Sequence, residues 1–164
     1  MAAENMTLHV AGVDDATKLG ALVGARAQCF ALTEATAQAV VNPTNPGGIP
    51  HELRAGFACR IARLNGETAL ADHFMQWLLN RGADEGSRIG DPSYSQSADP
   101  RLTAMIRHVD LVTLMPKDAK KLDIARLRDA GVGEGDIVRL AELIAFTNYQ
   151  VRVIAGLRLV GKIL

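Results

Sequence analysis

Cysteine, aromatic side chains and any excess of one charge are scarce in this sequence, and each scarcity excludes something. Cys29 and Cys59 are the only cysteines. Two thiols make no disulfide framework and cannot alone supply the four Cys/His ligands of a structural zinc site, so a reducing compartment and no metal are expected. Eighteen basic side chains balance eighteen acidic ones, which leaves no broad positive field for a phosphate backbone and makes nucleic acid an unexpected partner. No uncharged run approaches the roughly 18 residues of a membrane span, and Met1 to Met6 lacks the basic and apolar segments of a signal peptide. A cytoplasmic protein without a membrane partner is the expectation.

What is present points to one globular domain of helices. Hydrophobic residues make up 48% of the 164 and charged residues 22%, too apolar and too neutral for a disordered chain. Alanine is abundant and alternating β-branched runs are few, so the apolar positions are read at helical period and the fold class is all-α. A first long helix is expected from about Thr17 to Val41, ended by the Pro- and Gly-rich run Asn42 to Gly48. A second starts at Pro50 and carries Leu53, Phe57, Ile61 and Leu64. A third follows the Asn65-Gly66 turn, with Asn65 as its cap, Glu67 in its first turn and a stripe of Leu70, Phe74, Trp77 and Leu78.

Residues 83–98 lack apolar period and read as a long surface connection, so residues 1–164 form a single domain of two helical halves joined near 83–99. Asp99-Pro100 opens a helix that closes at Met115-Pro116, a short helix spans about Ala119 to Ala130, and the last runs from about Asp136 to Gly161. That last helix is apolar on two sides, which places it centrally or in a subunit contact. Asn148 falls on its main stripe, where a buried amide needs partners and serves either as structural glue or as a pocket group.

Two stretches, FACRIARLNGETALADHFMQWLLNRG from Phe57 and LRDAGVGEGDIVRLAELIAFTNYQVRVIAGL ending at Leu157, resemble the alkyl hydroperoxidase D-like, or carboxymuconolactone decarboxylase-like, superfamily. The resemblance implies a bundle of paired antiparallel helices, usually a homo-oligomer, with its site on the helix after the Leu-Asn-Gly turn. Redox members carry a Cys-x-x-Cys pair there, then a histidine, with a proton-relay glutamate on the preceding helix. In this chain Glu67 and Leu70 stand at the cysteine positions, Phe74 at the histidine position and Ala55 at the relay position. Dithiol chemistry is closed at that spot, and no cofactor is implied. The decarboxylase branch keeps its histidine where Phe74 stands, so that activity loses its support as well.

The remaining candidates are Glu67 and His73, an acid/base pair flanking the Leu70-Phe74 stripe, with Leu70, Phe74 and Asn148 as pocket residues for a small organic molecule. Against this stands the blander reading in which Glu67 answers the helix dipole and His73 packs beside Trp77. Two alternatives belong to other classes: a non-catalytic homo-oligomeric accessory protein, and a thiol peroxidase using Cys29 or Cys59. His108 reads as a surface or interface residue, and Arg54, Arg60 and Arg63 as solvated or oligomer-contact side chains. The Gly131 to Gly135 run lacks the strand and the Lys-Ser/Thr ending of a phosphate loop and reads as a turn between helices.

Overall fold

The computed structural model describes residues 5–164. Among them the regular structure is entirely helical: α1 Met6–Ala11, α2 Lys18–Gly24, α3 Ala27–Val41, α4 His51–Leu64, α5 Thr68–Leu79, α6 Asp84–Ile89, α7 Pro100–Leu114, α8 Lys121–Asp129 and α9 Glu134–Ile163, with a 3-10 turn at Pro116–Asp118. No helix among the described residues is long and apolar enough to cross a membrane.

The centre of the molecule is α4, which touches α3, α5, α6, α7 and α9. Its residues from Arg54 to Ala62 are buried without interruption, so no face of the helix is left for solvent. Small side chains make this possible, since Ala55, Gly56, Ala58 and Ala62 let neighbouring backbones come close. The tightest approach is at Gly56, where an added Cβ would lie 2.5 Å from the Gly86 carbonyl oxygen, and at Gly86, where one would lie equally close to the Glu52 carbonyl. The α4–α5 hairpin turns through Gly66 at φ 73°, a left-handed conformation that favours glycine, and the Glu67 amide closes the turn on the Ala62 carbonyl at 2.9 Å.

Three expectations are corrected. The helix expected from Thr17 to Val41 is two helices, broken at Ala25 and Arg26. Its buried positions explain the break: Val23 in α2 and Thr33 in α3 are about 80° out of phase on a straight helix, so one stripe would leave the core. The connection at 83–98 contains α6, whose buried residues are Gly86 and Ile89, too few to make a period in the sequence. Asn65 does not cap α5. Its amide instead donates to the Ile61 carbonyl at 2.8 Å and to Asn148 Oδ1 at 3.1 Å, and Glu67 is the cap residue without a side-chain bond. At α7 the expectation holds, with Asp99 Oδ1 accepting the Arg101 amide at 2.8 Å and Pro100 opening the helix.

Candidate functional site

The residues singled out on α5 face different surroundings. Glu67 is 7% exposed, and its Oε2 accepts a 2.6 Å hydrogen bond from Arg158 of α9, which also donates to the Val10 carbonyl at 2.9 Å. Glu67 therefore ties the start of α5 to α1 and the far end of α9, while its Oε1 is buried without a partner. Leu70 is fully buried in the core. His73 lies at the surface with its ring edge-on to Phe74, 5.6 Å between centroids, and partial burial lowers its pKa. His73 and Phe74 share a cavity of about 100 Å³ with Trp77 and the end of α3, too small for most organic ligands. Neither Glu67, Leu70 nor Asn148 lines it.

Asn148 is hydrogen-bonded on both sides of its amide and borders a different cavity from that of His73 and Phe74. Its Nδ2 donates to the Ile144 carbonyl at 2.9 Å while its Oδ1 accepts from Asn65, and it lines a cavity of about 240 Å³ between α7 and α9. The start of α5 is thus filled by packed side chains and one ion pair.

The roomiest cavity described lies elsewhere, between α7, α8 and the 96–97 segment, with a volume of about 890 Å³. The Asp99-Pro100 start sets the direction of α7, and the Lys120–Asp123 capping interaction sets that of α8, with Asp123 Oδ2 accepting the Lys120 amide at 2.8 Å. The floor of this cavity is apolar, with Ala104, Leu111, Leu114, Met115 and Leu122, and several of its polar side chains, Ser97, Thr103, Asp110, Asp123 and Arg126, are hydrogen-bonded. Asp123 Oδ1 accepts from Arg126 at 2.7 Å, and these hydrogen bonds, that from the Lys120 amide first, hold the Asp123 carboxyl below its usual range. Asp110 is gripped by Arg60 at 2.5 and 2.7 Å.

His108 differs from these in having a buried atom without a partner. It lies in the wall of this cavity and of the smaller one beside Asn148, and its Nδ1 is buried without a hydrogen-bond partner. Burial pushes its pKa below the ordinary 6.5, against the nearby Asp123, which pulls it up. Desolvation therefore dominates, and the imidazole is neutral at pH 7, able to accept a proton or a hydrogen bond. The sequence reads His108, between Arg107 and Asp110, as a surface or interface residue. Helical spacing puts it instead on the side facing α8 and α9, one turn from buried Met105 and from half-buried Val112.

The arginines expected in solvent are corrected in part: Arg54 and Arg60 are 2% and 1% exposed, while Arg63 is half-buried and donates to the Gly90 carbonyl at 2.9 Å. The two cysteines have opposite fates, Cys29 exposed and Cys59 buried, both as free thiols. Burial pushes Cys59 up to about 11, and its Sγ donates to the Ala71 carbonyl at 3.4 Å, so at neutral pH it is a protonated, shielded thiol. A disulfide-exchange reagent at pH 7.5 is expected to label Cys29 promptly in the folded protein and Cys59 only on unfolding. Two equally fast thiols would contradict the burial. Among the described residues no group of three or more His, Cys, Asp or Glu side chains is arranged to hold a metal ion.

No protein-family model matches the chain, and the comparison with curated proteins finds no significant match either.

Proposed function

We propose that the protein binds a small, largely apolar organic molecule in the cavity between α7 and α8, with His108 as proton acceptor, on an alkyl hydroperoxidase D-like scaffold without the dithiol. The observation that carries this reading is the buried, unpartnered Nδ1 of a neutral imidazole in the wall of a cavity of about 890 Å³, a size common for ligand sites. An unmet buried nitrogen is costly unless something completes its hydrogen bonding, and a ligand or the proton it delivers does so. The scaffold assignment rests on the resemblance around Leu64-Asn65-Gly66 and on the glycine turn before α9. Filling of the α5 site by Leu70, Phe74 and the Glu67–Arg158 pair supports moving the chemistry from Glu67 and His73 to His108. The protonated, buried Cys59 weighs against a thiol peroxidase.

An environment-sensitive apolar dye, anilinonaphthalenesulfonate, tests the location. Dye binding is expected to be lost in Ala104→Trp, which fills the cavity, weakened in His108→Gln, and unchanged in His73→Ala. Loss in His73→Ala with retention in Ala104→Trp would return the site to α5. The pH response has a definite sign. Because the folded state holds His108 below its ordinary 6.5, the unfolded chain takes up the proton first, so this contribution to stability is complete above about pH 6.5 and is lost as the pH falls through the folded value. His73 is lowered too and acts in the same direction, so urea titrations should show the acid loss reduced in His108→Gln and further reduced in the double variant with His73→Gln.

A further inference from the structure

α9 is a helix of 30 residues, and one stripe along it is largely exposed, with the Tyr149 hydroxyl reaching α3, 3.2 Å from Thr33 Oγ1. Val138, Ala145, Tyr149, Gly156, Val160 and Ile163 follow one another at intervals that keep them on one face, and all are exposed, Val138 at 58% and Ile163 at 75%. Within the stripe stands Ala145, small enough for another backbone to come close. Two charges lie on the same face, Glu142 and Arg152. Neither forms an ion pair with a described residue, and the Arg152 guanidinium donates to the carbonyl of Asn148 on its own helix at 2.8 Å.

From Val138 to Gly156 the order of these residues is self-complementary in one direction only. Position 147 is the midpoint of Glu142 and Arg152, of Ala145 and Tyr149, and of Val138 and Gly156. Two copies of α9 packed antiparallel about that point bring Glu142 of each level with Arg152 of the other, with small residues opposite large ones. A parallel pairing would oppose like charges along its length, which is unfavourable. We propose that this face of α9 is the docking surface for a second copy of the chain, packed antiparallel about a two-fold axis at position 147. The second copy covers the rim of the small cavity at Ala141, Ala145 and Arg152, behind which His108 and Asn148 lie. This arrangement goes beyond the ligand-binding reading and does not depend on it.

Sedimentation equilibrium of the full chain tests it. The expected mass is twice 17.5 kDa. Glu142→Arg and Arg152→Glu, both at exposed positions, are each expected to weaken association by about tenfold or more, because each places like charges together. The double reversal restores opposite pairs and is expected to recover the wild-type constant. A wild type that stays monomeric, a dimer indifferent to both single reversals, or a double reversal as weak as the singles would each overturn the proposal.

Discussion

Arg60→Ala is expected to cost about 3–5 kcal/mol of folding stability, the usual penalty for removing one member of a buried, hydrogen-bonded ion pair. The side chain leaves α4 in the middle of the core, with 1% of it exposed, and it meets two kinds of acceptor. Nε and Nη2 grip the two oxygens of Asp110 on α7 at 2.5 and 2.7 Å. Nη1 and Nη2 donate to the carbonyls of Ile89, Asp91, Tyr94 and Pro92 at 2.7–3.2 Å. One guanidinium thus fastens the segment after α6 to both α4 and α7, a segment with no sheet or helix of its own to satisfy these carbonyls. Alanine leaves a carboxylate and the carbonyls of Ile89, Pro92 and Tyr94 without their donor, while the Asp91 carbonyl keeps the Tyr94 amide at 3.0 Å. Asp110 is 31% exposed and recovers part of its solvation from water, so the carbonyls account for much of the penalty. Lysine keeps the charge but has no planar fork and is expected to restore only part of the loss. Urea unfolding checks this through the midpoint with an unchanged slope, and a loss below about 1 kcal/mol would show that the 89–94 segment is held by something else. The same variant bears on function, because Asp110, Gln96 and Ser97 line the large cavity. Dye binding there should weaken even under conditions in which Arg60→Ala remains folded.

The elements that carry a stripe and punctuation are legible in the sequence. The α4–α5 hairpin has apolar positions at helical spacing and a glycine at the turn, and α7 has its Asp-Pro start, so both are readable from side-chain chemistry alone. The break between α2 and α3 is not, because it depends on which residues the core accepts: Leu22 is as apolar as Val23 but is 52% exposed. For Arg54 and Arg60 a signal exists. They sit in a run of alanine, glycine, cysteine and large apolar residues that gives α4 no polar face, so a helix buried on every side must bury its arginines and find acceptors for them. The site is harder to read. His73 lies on α5 and Glu67 at its cap rather than in its first turn, and a single helix does not reveal that Arg158, 91 positions along the chain, claims the carboxylate. The cavity at His108 depends on how α8 packs on α7, and no motif encodes the room between two helices.

Arg54→Met carries the other large expected effect, because Arg54 is buried without any carboxylate in contact. Its three nitrogens each donate to one backbone carbonyl, Nε to Ile49, Nη1 to Val40 and Nη2 to Pro46, all at 2.8 Å. Burial lowers its pKa, as does the neighbouring Arg139, while Asp136 and Glu142 raise it, so the more distant carboxylates offset part of the cost of keeping the charge in the core. In return the guanidinium gathers the end of α3 and the turn before α4 around one point. This turn contains Pro43 and Pro46, which offer no amide, and Gly47 and Gly48, which add no side chain, so the segment has little else with which to hold itself. The Gly48 amide donates to Asp136 Oδ1 at 2.9 Å, a contact available only while the turn keeps its shape. Methionine matches the length of arginine but has no donor. Two buried carbonyls, Ile49 and Val40, then lose their partners, and the half-buried Pro46 carbonyl keeps only the Ile49 amide at 3.4 Å; at about 1–3 kcal/mol for each buried group the total is about 3 kcal/mol or more. Hydrogen exchange separates a local from a global effect: protection at Gly48 should fall by more than it does in the core of α4, since the turn opens before the helix does. Equal loss at both places would mean that Arg54 holds the whole bundle together, and no loss at either would mean that Asp136 and the two prolines hold the turn alone.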